Sequence, residues 1–85
     1  MTDVKAIDAQ IRAVLKDHAR LMEDALTLDP NSDLYQSGMT SLSSVNVMLG
    51  LEGVFDVEFP DHMLNKKVFS CIASIRSALL ELTAA

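Results

Sequence analysis

The sequence contains no tryptophan, one tyrosine, three phenylalanines and a single cysteine. One cysteine cannot close an intramolecular disulfide or supply a multi-cysteine metal site, a pattern that fits a reducing compartment. With only Tyr35, Phe55, Phe59 and Phe69 as rings, the core has to be built from aliphatic side chains. Glycine and proline are also sparse, at three and two residues, so little of the chain is punctuated as turn. Positive charge is missing altogether from 40–64, a segment that holds Glu52, Asp56, Glu58 and Asp61. Over the whole chain seven basic residues face twelve acidic ones, a formal charge of -5 that would repel a nucleic-acid backbone. The acidic segment reads either as a solvated face or as a surface for a basic protein partner.

No apolar run approaches the ~20 residues that span a bilayer. Asp3, Lys5 and Asp8 interrupt the start of the chain, where a secretory leader would need an apolar stretch. Hydrophobic residues make up 49% of the 85-residue chain and charged ones 22%, which favours a folded globule over a disordered acidic tail. A chain this short buries only ~60% of its unfolded surface, leaving little room for a buried substrate cleft. The expectation is a single domain over 1–85, cytoplasmic and monomeric, with no nucleic-acid, membrane or metal partner.

Apolar residues from Val4 to Ala25 recur at three- and four-residue steps, and this predicts an amphipathic first helix over 3–24 capped by Thr2 or Asp3. His18 falls on its apolar side as a partly buried boundary residue. Residues 25–40 carry Pro30, Asn31, Ser32, Asp33 and Gly38 and read as a long loop pinned by Leu26, Leu28, Leu34 and Tyr35. A second helix is predicted over 41–56, capped by Thr40 or Ser41. Advancing about 100° per residue places Ser44, Val47, Leu51, Val54 and Phe55 on one side, and Leu42, Val45, Asn46, Leu49, Glu52 and Gly53 on the other. The stripe Leu42, Val45 and Leu49 has no internal use in so small a bundle unless it faces a partner. "VFDVEF" alternates like a strand but has nothing to pair with, so it is read as a helix end and a loop anchored by Val57 and Phe59. After Pro60 one short helical turn capped by Asp61 is expected, then a last helix over 71–82 capped by Ser70. The fold class is an all-α, four-helix bundle of three main helices and one short one.

Convergent catalytic groups are few. Ser41 and His62 form a serine–histidine pair on paper, with no third member and no glycine-rich turn to hold an oxyanion. Cys71 opens a helix, where the dipole lowers a thiol pKa, or else sits as a boundary thiol beside Ile72. What stands out is "TSLSS", 40–44, a cluster of hydroxyls at a loop-to-helix junction. These hydroxyls serve either to cap the helix or as a site of modification, since helix N-termini favour an attached phosphate.

The stretch "DLYQSGMTSLSSVNVMLGLEGVFDVEFPD" resembles the core of the acyl carrier and peptidyl carrier protein family. That pattern is carried here by Gly38, Met39, Ser41, Leu42, Val45, Leu51, Glu52, Phe55, Pro60 and Asp61. The resemblance implies that Ser41 receives a covalent 4'-phosphopantetheine arm from coenzyme A through a phosphopantetheinyl transferase, and that the arm holds cargo as a thioester. It implies a stand-alone, non-enzymatic carrier, loaded by an acyl- or aminoacyl-adenylating ligase and unloaded by downstream acyl-transfer enzymes. Partners would meet Met39, Thr40, Leu42, Val45, Asn46, Leu49 and Glu52. Two departures mark the sequence: Thr40 stands where the family has aspartate, and Ser43, Asn46 and Gly53 stand where acids are common in fatty-acid carriers. The texture of "FPDHMLNKKVFSCIASI" is more similar to specialised carriers, including aminoacyl carriers, than to housekeeping fatty-acid ones. The alternative reading is an unmodified helical adaptor using the same outer face, and a third is a minimal hydrolase built on Ser41 and His62.

Overall fold

The computed structural model describes residues 3–83, so Thr2, the alternative cap of the first helix, lies outside the described residues. Three α-helices, α1 (Val4–His18), α2 (Ser41–Phe55) and α3 (Ile72–Thr83), are joined by two long connections, the second of which contains a 3₁₀ turn at Asp61–Met63. No strand occurs among the described residues, and "VFDVEF" is a helix end and loop as expected. Asp3 caps α1, its Oδ1 accepting from the amides of Lys5 and Ala6. Ile7, Ile11, Val14 and Leu15 form the buried stripe of α1 and meet Val47 and Leu51 of α2 and Ile72, Ile75 and Leu79 of α3. Asp8 and Arg76 pair at 2.9 Å and tie α1 to α3 at the edge of this core.

The first helix stops at His18, six residues short of its predicted end at 24. Arg20 adopts a left-handed conformation with φ 57, and the Met22 amide leaves the helical ladder to donate to the Ser37 carbonyl at 2.7 Å. The apolar periodicity ran on because Leu21 and Ala25 still pack on the core from the loop, whereas Met22 is solvent-exposed. His18 is more exposed than expected, and its ring flanks the α1–α2 crossing at Gly50. A Cβ at Gly50 would come within 2.9 Å of Val14 Cγ1, so the missing side chain permits the close approach of the two helices.

The loop of 19–40 is held along its length. The Arg12 guanidinium donates to the carbonyls of Ala25 (2.9 Å) and Leu28 (2.6 Å). Further on, the Leu34 amide donates to Ser70 O at 2.7 Å, and the Ala73 amide at the start of α3 donates to Pro30 O at 3.0 Å. Leu28 and Leu34 are buried and Tyr35 is half-buried, as pins should be, but Leu26 is half-exposed. Because Pro30 supplies the oxygen at the head of α3, Ser70 does not cap that helix as predicted; its hydroxyl donates backward to Lys67 O at 2.8 Å. Asp61 is likewise the first residue of the 3₁₀ turn, and Pro60 takes the capping position without a side-chain bond.

The second connection begins at Asp56, in left-handed conformation with φ 53, whose amide and that of Val57 both donate to Glu52 O. Phe59 then drops into the core and meets Phe69 edge-on, with ring centroids 5.4 Å apart. Asn65 holds the far half: its Nδ2 donates to His62 O and its Oδ1 accepts from the Val68 amide.

Hydrogen bonds to a charged group contribute about 1.5–3 kcal/mol each, and removing the donor leaves two carbonyls unserved. Arg12→Met is expected to lower unfolding free energy by about 2 kcal/mol in urea titration. Amide hydrogen exchange should accelerate over 21–39 more than within α3; uniform acceleration would show that Arg12 does not hold this loop in particular.

Candidate functional site: the head of the second helix

The loop delivers the chain to α2 through Gly38, whose φ of 118 only glycine adopts without strain. Met39 follows and is buried, 3% exposed, with its amide on Leu34 O. It is therefore a core anchor and not part of an outer contact surface, a correction to the sequence expectation. Thr40 is the N-cap: its Oγ1 accepts from the Ser43 amide at 3.0 Å, and the Thr40 amide donates back to Ser43 Oγ at 2.8 Å. This reciprocal box is completed by Ser43 Oγ donating to Thr40 O at 3.2 Å. The structure also reverses two serines: Ser43 is the buried one, its hydroxyl satisfied by the cap, while Ser44 is half-buried and donates to Ser41 O at 2.7 Å. Val47 and Leu51 are buried as expected and follow Ser43 at intervals of four, so the buried line begins at Ser43 instead of Ser44, and Val54 stays half-exposed.

Three of the four clustered hydroxyls are thus engaged with backbone. Ser41 is exposed, and its Oγ makes no hydrogen bond among the described residues. The amides of Ser41 and Leu42, at the head of a fifteen-residue helix, are not used by the cap either. An anion at such a position is stabilised by about 0.3–1 kcal/mol at exposed sites. Ser41 also opens onto a solvent-connected groove of ≈ 210 Å³ lined by Tyr35, Ser44, Val45, Met48, Leu64, Asn65, Lys66 and Phe69. Of these, Leu64, Asn65 and Lys66 escaped the sequence reading, because only the fold of the second connection brings them to α2. A phosphodiester-linked arm needs an exposed hydroxyl without internal bonds, donors that accept an anion, and space alongside. Ser41 fits on all three counts.

The outer face of α2 is apolar as anticipated, with Leu42 76%, Val45 48% and Leu49 55% exposed and Asn46 between them. Glu52, expected on the same face, is half-buried and uses Oε2 to accept from the Phe59 amide at 2.9 Å. Its carboxylate fixes the second connection. Val47, Leu51, Phe59 and Met63 are all buried core residues, and none of them lines the groove beside Ser41, which opens between α2 and the second connection.

His62 is exposed in the 3₁₀ turn and faces a different groove, with Met63, Lys67, Val68 and Ser74. It makes no hydrogen bond to Ser41, and the structure gives the hydrolase reading no geometry. Cys71 heads α3, accepts the Ile75 amide on its carbonyl, and sets Sγ 3.3 Å from Ser74 Oγ. Partial burial raises its pKa, but hydrogen bonds with Ser74, Ser70 and nearby amides outweigh that and leave the thiol below its ordinary value.

A family model described as the phosphopantetheine attachment site matches residues 9–79, and the chain belongs to that family. It is a carrier protein: one that holds cargo on a 4'-phosphopantetheine arm and presents it to partner enzymes. It is 40% identical over 73 residues to the aminoacyl carrier protein of Agrobacterium fabrum, covering 86% of this chain and 88% of that one. Among solved structures, the carrier protein from Agrobacterium tumefaciens was crystallised with an engineered glycine:carrier protein ligase from Bradyrhizobium japonicum. In the complex with ATP it matches with a TM-score of 0.86 at 38% identity, covering 89% of this chain and 99% of that one. In the complex with AMP the values are 0.82 and 40%, covering 85% and 96%.

Loss of a helix cap costs about 0.5–2 kcal/mol. Ser43→Ala, which removes half of the box and leaves the Thr40 amide unpaired, should lower unfolding free energy by about 1 kcal/mol in denaturant titration. Ser41→Ala should change it by less than about 0.5 kcal/mol. Equal losses would mean that Ser41 also serves the cap.

Proposed function

We propose that Ser41 is the attachment point of the arm and that the protein is an aminoacyl carrier. The observation that carries this reading is the idle, exposed Ser41 hydroxyl beside three hydroxyls committed to the cap. In the loading step Ser41 Oγ forms the new P–O bond, the pyrophosphate bond of coenzyme A breaks, adenosine bisphosphate leaves, and the hydroxyl proton passes to the transferase or solvent. Once attached, the arm supplies a terminal thiol for a thioester. Thr40 keeps the serine on the first turn without the carboxylate that the family pattern has there. Fixing the reactive end in space is left to partner enzymes, and on this reading the domain over 1–85 catalyses no step itself. Its need for coenzyme A and an adenylating ligase supports a cytoplasmic location.

Amino acid as the cargo is supported by the 40% identity to an aminoacyl carrier. It is also supported by the shape of the molecule, since the groove beside Ser41 is open and its core-side neighbours Val47 and Leu51 are fully buried. A short polar acyl group asks for no apolar tunnel, whereas a long fatty chain would have to part that core. Docking on Leu42, Val45 and Leu49, with Thr40 and Asn46 at the edge, is apolar and small in area, which suits a shuttle that must leave each enzyme. The ligase complex of the Agrobacterium tumefaciens carrier supports an adenylating ligase as one such partner.

Incubation with coenzyme A and a phosphopantetheinyl transferase should add the mass of one arm to the wild type and to Ser43→Ala, and none to Ser41→Ala. Arm addition to Ser41→Ala would move the site along the helix. The loaded protein with ATP, an amino acid and an amino-acid:carrier ligase should gain one aminoacyl mass at a rate cut at least tenfold by Val45→Asp; a fatty acyl mass with its own ligase instead would overturn the cargo assignment. Thr40 gives the adaptor reading its one specific support. Ligase binding to the unmodified chain that survives Ser41→Ala but not Val45→Asp, with no arm on the protein isolated from its cell, would favour it.

A further inference from the structure

The groove at Ser41 has an uneven charge distribution. Of the basic residues, Arg12 is committed to the carbonyls of Ala25 and Leu28, and Arg76 to Asp8. Lys16 and Arg20 line a separate depression beside Leu15 and Glu23, and Lys67 lines the groove that holds His62. Lys66 is the basic residue that lines the groove with Ser41. Its Nζ lies 4.9 Å from the centroid of the Tyr35 ring, which lines the same groove. It forms no ion pair among the described residues. Asp33, two residues before Tyr35, accepts the Tyr35 and Gln36 amides on Oδ1 and forms no ion pair with Lys66. Two devices therefore hold one ammonium without an ion-pair partner in the groove that Ser41 also lines. Asn65 locks the turn that carries Lys66, and the face of Tyr35 steers the side chain.

We propose that Lys66 is the counter-ion of the phosphodiester on Ser41, so that the arm leaves the serine along the groove between α2 and the second connection and keeps clear of the outer face of Leu42, Val45 and Leu49. This rests on Ser41 being the attachment point. An ammonium over a ring face gives up a weak partner when a phosphate oxygen comes within reach, and a charge-assisted hydrogen bond is the stronger contact. Beyond the phosphate the arm begins with an apolar segment bearing two geminal methyl groups, which suits the Leu64 and Met48 walls of the groove. Lys66 is thus a positioning residue. It presets the direction in which cargo leaves while the docking stripe stays uncovered.

Tyr35 is the only tyrosine and there is no tryptophan, so ultraviolet emission reports on this ring alone. The test compares unmodified and enzymatically loaded protein, with loading verified by intact mass, for the wild type, Lys66→Met, Lys66→Arg and Lys67→Met. Loading should change Tyr35 emission and shift the Lys66 side-chain NMR signals in the wild type. Nuclear Overhauser contacts from the geminal methyls of the arm to Leu64 and Met48 should appear in the wild type and in Lys67→Met, be lost in Lys66→Met and be restored in Lys66→Arg. Loaded wild type whose Lys66 signals and Tyr35 emission match the unmodified protein would overturn the proposal. So would methyl contacts that persist in Lys66→Met. Absence of the arm's mass overturns instead the assignment of Ser41, a separate result.

Discussion

The Arg12 guanidinium is the contact on which the site depends. A loop of some twenty residues carries its own closure entropy and a row of backbone polar groups, and it keeps one path only if something satisfies those groups from within the molecule. Arg12, standing on α1, takes the carbonyls of Ala25 and Leu28; the backbone at Ser70 and Ala73 takes Leu34 and Pro30. With both flanks tied, Gly38 turns the chain and Met39 is driven into the core. The position of Ser41 is thus set by residues up to thirty-two positions away in sequence, none of which hydrogen-bonds to it.

The head of α2 divides labour among similar side chains. A helix start needs acceptors for its amides, and a modifiable hydroxyl must not be one of them. Thr40 and Ser43 close the box between themselves, and Ser44 back-bonds to Ser41 O, so the cap is complete without the Ser41 hydroxyl. Had Ser41 been the cap, attachment of any group to its oxygen would cost the helix its first bonds. Keeping the two tasks on different residues lets the first turn stay folded whether or not the serine is occupied. The same economy holds on the outer face, where Glu52 is drawn inward to the Phe59 amide and leaves Leu42, Val45 and Leu49 without a facing carboxylate.

How much of this was legible in the sequence depended on how local its cause was. The start of α2, its end to within one residue and the outward stripe of Leu42, Val45 and Leu49 follow from residues within a few positions of each other and are legible, and of the two caps the sequence allows, Thr40 and Ser41, the structure uses Thr40. The end of α1 was not legible, because neither glycine nor proline marks it: Arg20 turns left-handed and the Met22 amide then bonds to the Ser37 carbonyl, fifteen residues on. Ser70 looked like a cap on local grounds and lost that place to the Pro30 carbonyl, which only the tertiary fold delivers. Ser43 and Ser44 were exchanged because a helical wheel fixes angle but not the direction in which the cap draws a hydroxyl. Met39 was placed outside by analogy of position with Thr40 and Leu42, whereas a methionine between a left-handed glycine and a helix cap has the core directly beneath it.

A carrier has to satisfy opposing requirements on one small surface. The contact with each enzyme must be specific, yet it must dissociate within a catalytic cycle, and the docking stripe proposed for Leu42, Val45 and Leu49 meets both with a few exposed aliphatic residues and little charge to steer it. The cargo must be reachable, yet it must not occupy that same stripe. With Ser41, the first residue of α2, as the proposed attachment point, one side looks onto the stripe and the other onto the groove of Tyr35, Leu64 and Lys66, which reconciles the two. The helix turns about 100° per residue, so Ser41 and Leu42 already diverge to different sides. Separation of cargo from docking surface is then a consequence of helical geometry, and the loop tied down by Arg12 keeps the serine at that dividing position.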